Sequence, residues 1–372
     1  MFSWLKEKRA TERERAVDKT LLVGVLLLVI FGLVMLYSTS AYNGEVKFHD
    51  SAYYLKKQFF ATSIGLFAMY VVSCIDYHIW EKFALLGYVV SLILSALVLF
   101  VGAEYNGSKR WLTLGPLSFQ PSEFAKVAVI LFLASLISGA KKPTGSIWSL
   151  IKVFLPLLPI VGLVGSNNLS TAIIILGIGA ILVFVSSPKY VPFLGLGAVG
   201  IGFVSIFLAL ESYRLERLLI WRNPEEYEKG YQTIQGLYAI GSGGLFGKGL
   251  GESMQKLGFV PEAQNDMIFS IICEEMGLFG ALILLGLFLL ILWRFMAIST
   301  KSRDLFGSLI ATGVLTHIAL QVLLNVAVVT NTIPNTGITL PFVSYGGTSV
   351  VFLLAEMGLV LNISRHSKST NT

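Results

Sequence analysis

The chain has 372 residues, of which 55% are hydrophobic and only 13% charged, about half of the roughly 25% charge that a soluble domain carries. Apolar runs recur that are long enough to cross a hydrocarbon core of about 30 Å as helices, and the apolar–polar alternation of a transmembrane β-barrel is absent. The net charge of +6 reads as basic cytoplasmic loops rather than a nucleic-acid surface.

Ten spans are expected, at 20–40, 59–75, 83–102, 122–139, 150–166, 171–186, 190–210, 267–293, 305–328 and 347–363. The first is too long for a signal-peptide core and lacks a cleavage site, so it reads as retained. An even number of spans puts both termini on one side. With the long loop set aside, that side carries sixteen Lys and Arg against six on the other, which places both termini in the cytoplasm. The fold class is therefore an all-α polytopic integral membrane protein, a single membrane domain over 1–372. Residues 1–19 and 364–372 are cytoplasmic tails, and 211–266 form a large extracytoplasmic loop between spans 7 and 8. No intervening segment is longer than this one, so chemistry must sit on loops and helix ends. Cys74 and Cys273 fall toward opposite faces and are not expected to pair.

The first dense segment is 105–126. Asn106-Gly107 marks a turn, and Lys109 and Arg110 flank Trp111 as an interfacial anchor would. Pro121 starts a helix, which sets Glu123 and Lys126 at i, i+3 on one face. Charges entering an apolar run are expensive unless paired or lining a polar cavity. A coupled carboxylate and ammonium there suit a cavity that holds an anionic group. Arg214 and Arg217, followed by Trp221 and Arg222, form a basic-aromatic patch. It fits an amphipathic interfacial helix and equally a bidentate phosphate clamp.

The Gly-rich run 241–251 fails as a phosphate loop. Ser242 stands where glycine is needed and Gly249 where Ser or Thr is needed. It reads as backbone for tight turns. Asp266 directly precedes an apolar run, a favoured N-cap position, where a carboxylate is stabilised in its charged form. Such a group suits orienting a hydroxyl or holding a divalent cation. Glu274 and Glu275 lie about 12 Å further along the same helix, and at least one must face protein or water. The last loop, 331–348, carries prolines, glycines and hydroxyls but no charge. It serves either as a re-entrant structural loop or as a cavity wall contacting sugar hydroxyls. His49, His78, His317 and His366 are scattered, and no zinc spacing occurs.

Several long motifs, in order over nearly the whole chain, resemble one family. They are Gln120-Pro-Ser-Glu-Phe-Ala-Lys, Gly230-Tyr-Gln-Thr-Ile-Gln-Gly, Pro261-Glu-Ala-Gln-Asn-Asp, Cys273-Glu-Glu-Met-Gly and Leu340-Pro-Phe-Val-Ser-Tyr-Gly-Gly. Together they resemble the SEDS family (FtsW/RodA/SpoVE) of shape, elongation, division and sporulation proteins. Gly32-Leu-Val-Met-Leu-Tyr-Ser, the run from Val329 and the ending Leu361-Asn-Ile-Ser-Arg are more similar to the FtsW/SpoVE branch than to RodA.

The resemblance implies a peptidoglycan glycosyltransferase in the bacterial cell membrane that polymerises lipid II on the outer face, with undecaprenyl diphosphate as leaving group. A septal, division role follows from the branch. By motif the catalytic carboxylate is Asp266, also the candidate ligand for Mg²⁺ or Mn²⁺, with no organic cofactor. Substrate contacts are expected from Lys109, Arg110, Glu123, Lys126, Arg214, Arg217, Gln235 and Ser344. The implied partners are lipid II and undecaprenyl-diphosphate-linked glycan, a class B penicillin-binding protein and other divisome membrane proteins. Many members carry Pro-Asp where this chain has Asn167-Asn168, so no charged role passes to Asn168. Rival readings are a flippase for the same lipid, which predicts inverted repeats that are not seen, a RodA-type elongation polymerase, and a structural scaffold.

Overall fold

The computed structural model describes residues 17–105, 108–114, 117–140, 147–187 and 218–367, with the isolated positions 197 and 202. Span 7 of the sequence reading, together with Arg214 and Arg217, lies outside the described residues. Among the described residues, eight helices are long and apolar enough to cross a membrane. They are α1 (Lys19–Phe48), α2 (Tyr53–Cys74), α3 (His78–Val101), α4 (Pro121–Ser138), α7 (Leu169–Ser186), α9 (Ile268–Lys301), α10 (Leu305–Val329) and α11 (Gly347–Arg365). The chain is a multi-pass helical membrane protein. Span 5 is two shorter helices, α5 (Ile147–Phe154) and α6 (Leu157–Asn167). They break at Pro156, whose missing N–H and ring oppose a continuous helix.

The predominantly helical class is as expected, with one local addition. Between α3 and α4 the chain forms a small antiparallel sheet of β1 (Ala103–Tyr105), β2 (Ser108–Leu114) and β3 (Leu117–Phe119), in the order β1-β2-β3. Tyr105 pairs with Ser108 and Leu114 with Leu117. The Thr348 hydroxyl donates to Ser118 O at 2.9 Å, tying the sheet to the start of α11.

Outward faces of the helices carry large exposed apolar side chains, such as Leu27 and Ile30 on α1, Phe59 and Phe67 on α2, and Leu85 and Ile93 on α3. A lipid-facing surface needs no other covering. The inward stripe of α1, Leu21, Val25, Leu28 and Met35, is buried and packs on α9. Helix α10 is surrounded by α4, α7, α9 and α11, and it carries Thr316, His317, Gln321 and Asn325 buried within that bundle.

The start of α1 and the end of α11 lie side by side. Asp18 caps α1 by accepting from the Leu21 N–H at 2.9 Å, and its own N–H donates to the Ser364 hydroxyl at 3.1 Å. The Arg294 Nε at the far end of α9 donates to the same carboxylate at 3.1 Å.

Candidate active site

Residues 261–267 run as turns into α9, and the helix caps on Met267, not on Asp266. The capping role weighed from the sequence is thus not the one Asp266 performs. Its half-buried side chain takes another direction. Oδ1 accepts from Gln232 Nε2 at 3.4 Å, and Gln232 Oε1 accepts from Asn335 Nδ2 at 3.4 Å. Gln232 belongs to α8 (Tyr231–Gly243) and Asn335 to the last loop. A Cβ placed on Gly337, whose φ is +69°, would come within 3.9 Å of Asp266 Oδ2.

Neighbouring bonds hold this corner in place. Gln264, 2% exposed, accepts from Asn43 of α1 through Oε1 at 3.1 Å and from the Tyr345 N–H through its carbonyl at 2.9 Å. The Asp266 carbonyl accepts from Asn325 Nδ2 of α10 at 2.8 Å. Four parts of the chain distant in sequence, α1, α8, α10 and the last loop, therefore converge on the segment 264–266. Burial, reinforced by Tyr53 and Tyr54, pushes the Tyr345 phenol up to about 12, so that hydroxyl stays un-ionised at neutral pH.

Glu123 and Lys126 form the expected ion pair, 2.9 Å apart and almost wholly buried. Lys126 Nζ also reaches Gln321 Oε1 at 3.4 Å, and Gln321 Nε2 donates to the Thr339 carbonyl of the last loop at 3.0 Å. The pair therefore shares a wall with the Asp266 corner.

Lys109 and Arg110 lie on β2 and meet α6. Arg110 Nε donates to Asn167 O at 2.9 Å, and Asn167 Nδ2 donates to Lys109 O at 2.8 Å. With Ser122 and Asn168 they line a small cleft with room for about one water molecule. The Asn168 side chain caps α7 by accepting from the Thr171 N–H at 3.2 Å. Gln235 is half-buried on α8, one turn beyond Gln232. Ser344 is only 6% exposed, and its hydroxyl accepts from the Leu340 N–H at 2.8 Å, a loop-stapling position.

The Gly-rich run proves structural, as expected from the failed phosphate-loop spacing. Helix α9 breaks at Gly277, with φ +67° and ψ −168°, a conformation that side-chain-bearing residues resist. The loop enters the break. The N–H groups of Lys248 and Gly249 donate to the carbonyls of Glu274 and Glu275, and those of Leu278 and Phe279 donate to Gly244 and Leu245. Contact is close enough that a Cβ on Gly277 would stand 2.3 Å from Gly247 N. Lys248 pairs with Glu274 at 2.6 Å and Lys256 with Glu275 at 2.7 Å.

Sequence reasoning missed Gln232, Gln321, Asn325 and Asn335. A signal for the two on α10 was present, since His317, Gln321 and Asn325 recur every four residues on one face of an apolar span. An amide buried in that setting is costly unless hydrogen-bonded.

A fold of lipid-facing helices around an uncharged loop and one carboxylate corner defines a class of polytopic membrane protein, and comparison with known proteins narrows it. Residues 18–369 match the family model described as cell cycle protein, FtsW/RodA/SpoVE, and the chain belongs to that family. It is 41% identical to the stage V sporulation protein E of Bacillus subtilis over 368 residues, 96% of this chain and 100% of the relative. It is 38% identical to a probable peptidoglycan glycosyltransferase FtsW of Trichlorobacter lovleyi, covering 93% of each chain. Among solved structures it is similar to a chain of a peptidoglycan synthase complex studied for the coordination of polymerization and crosslinking. The TM-score is 0.81 at 32% identity, over 95% of this chain and 99% of that one. Against the rod shape determining protein RodA of Thermus thermophilus the TM-score is 0.71 at 31% identity, with the same coverage.

Proposed function

We propose that this chain is a peptidoglycan glycosyltransferase that polymerises lipid II at the outer face of the cell membrane, for septal wall synthesis. Ten spans with both termini in the cytoplasm go with this reading, and the contact between Asp18 and Ser364 supports the same-side ends. The observation that carries the proposal is the Asp266 corner, where a half-buried carboxylate stands beside amides and an uncharged loop.

The 4-hydroxyl of the acceptor GlcNAc attacks the anomeric carbon of the donor MurNAc. The bond to undecaprenyl diphosphate breaks, and the diphosphate leaves with the electron pair. Asp266 orients the hydroxyl and takes its proton, as a general base does. Donor linkage α and product linkage β make this a single inverting displacement. Lys109, Arg110, Lys126, Arg214 and Arg217 offset the diphosphate charge, and Gln235 contributes a polar contact. Ser344 acts through the loop turn it holds.

The Asp266 carboxylate fits Mg²⁺ or Mn²⁺, since such ions are often held by one or two carboxylates together with substrate phosphates. Asp266 would hold the ion, which would neutralise charge on the departing diphosphate, while Gln232 donates to that carboxylate and orients it. A class B penicillin-binding protein is the proposed partner for crosslinking the product.

The test is polymerisation of purified lipid II by the purified protein, alone and with that partner, read as glycan chain length. Glycan made in either condition supports the proposal. Lipid translocation without polymer in both conditions overturns it.

A further inference from the structure

We propose that Asn325 is a positioning residue that sets where the Asp266 carboxylate stands against the last loop. The inference rests on Asp266 being the catalytic carboxylate of the function proposed above. Asp266 lies one residue before the cap of α9, so its carbonyl falls outside the helical hydrogen-bond ladder. Asn325 supplies the missing bond. Its Nδ2 donates to Asp266 O at 2.8 Å and to Ile338 O at 2.7 Å. Both amide protons are thus committed to backbone, from two segments more than seventy residues apart in sequence.

Asn325 is fully buried in an apolar span where leucine or valine would be the ordinary choice. An amide there is retained at a desolvation cost that only its hydrogen bonds offset. What those bonds achieve is registry. Ile338 follows Gly337, the residue that faces Asp266 Oδ2, so the clamp fixes both walls of the corner at once.

One turn earlier on the same helix, Gln321 repeats the arrangement. Its Nε2 donates to Thr339 O at 3.0 Å, and its Oε1 accepts from Lys126 Nζ at 3.4 Å. The consecutive carbonyls of Ile338 and Thr339 are therefore held by consecutive turns of α10. The rise between those turns, about 6 Å at 1.5 Å per residue, sets the spacing between the segment carrying Asp266 and the Lys126 ammonium. Asn325 touches no reacting atom in this scheme and acts through Asp266.

The experiment compares full-length wild type, Asn325→Ser, Asn325→Gln and Asp266→Asn in lipid II polymerisation, separating kcat from KM, with thermal stability in detergent recorded for each. Serine cannot span both carbonyls. Misplacing a catalytic group by about 1 Å costs on the order of 10²-fold, so Asn325→Ser should lose about that factor in kcat. KM should stay near wild type, because substrate binding is not what the clamp controls. If the serine variant does not fold, Asn325→Gln keeps both donors and decides the matter. It should fold and still lose kcat, by a smaller factor, because its amide is displaced by one methylene. A folded variant at either level with wild-type kcat, or with its loss confined to KM, overturns the inference. The Asp266→Asn arm separates the two failures. An active Asp266→Asn enzyme defeats the catalytic assignment itself, whereas an inactive one beside a fully active Asn325→Ser enzyme defeats only the positioning role.

Discussion

Asp266, Glu274 and Glu275 stand within the first turns of α9 and its approach, and the protein uses them in two ways. Glu274 and Glu275 are 0% and 1% exposed, and each is locked to a lysine of the Gly-rich loop. Glu274 also accepts from Ser253 and from the N–H groups of Met254 and Gln255, and Glu275 from Ser38. Asp266, two turns earlier, is half-buried and stands against amide side chains and the last loop. Depth sorts the roles. The deep pair closes a break in a membrane helix, and the shallow carboxylate stays partly exposed.

The largest expected effect breaks this contrast from the shallow side. Asp266→Asn keeps size and polarity but removes proton acceptance, and loss of a general base costs about 10²–10⁴-fold in rate. Because Met267 and not Asp266 occupies the cap, Asp266→Ala should be equally inactive without the destabilisation that a lost cap would bring. Polymerisation rates and detergent melting curves of both variants check this. Near-normal polymer from Asp266→Asn would reduce Asp266 to a structural residue.

The deep side should fail in the opposite way. Glu275→Gln strands Lys256, which is 6% exposed, and leaving one partner of a buried pair uncompensated costs about 3–5 kcal/mol. Melting temperature and membrane level should fall while the rate per folded molecule holds. A stable but inactive Glu275→Gln protein would move Glu275 into the chemistry.

How far the sequence reaches differs between these regions for physical reasons. Spans follow from composition, and the expected ends fall within two residues of α4, α7, α10 and α11. By contrast, α1 and α9 run eight residues further at their C-terminal ends, and α2 and α3 start six and five residues earlier. The sheet at 103–119 was foreshadowed by Asn106-Gly107, a strong two-residue hairpin signal. Its strands of three to seven residues are too short to give a periodicity. The Glu123–Lys126 pair was legible because i, i+3 contacts are local. The Asp266 corner was legible only in its carboxylate. Its amides come from α8, α10 and the last loop, and no local rule predicts which distant glutamine or asparagine will arrive. The kink at Gly277 was hidden similarly, since the loop that fills it begins more than thirty residues upstream.

A middle case sharpens the comparison, because the Glu123–Lys126 pair is as buried as the deep carboxylates yet is linked through Gln321 to the last loop beside Asp266. If the two charges act as a unit, Glu123→Gln and Lys126→Met should each harm polymerisation more than the double change implies by addition. Coupling of about 0.5–3 kcal/mol is usual for contacting residues. Lipid II polymerisation of the two single variants and the double variant measures it. Strict additivity would make the pair an ordinary interface anchor.

The smallest effect lies far from both regions, in the turn between α2 and α3. Asp76 accepts from the His78 N–H at 2.9 Å and lies 2.7 Å from His78 Nδ1. The backbone bond first, and the imidazole after it, hold its carboxyl below the usual range. A carboxyl lowered by folding adds stability above its unfolded value of about 3.9, and that contribution disappears as pH falls through the lower folded value. Both groups are about half exposed, so screening keeps the effect at the low end of the ~0–1 kcal/mol range of surface pairs. Thermal unfolding in detergent at pH 6 and pH 3 should show a slightly smaller acid loss for Asp76→Asn than for wild type, since asparagine keeps the acceptor and cannot be protonated there. Polymerisation at pH 7 should be unchanged, unlike that of Asp266→Asn. Identical acid losses in the two proteins would show that the turn is held by its backbone alone.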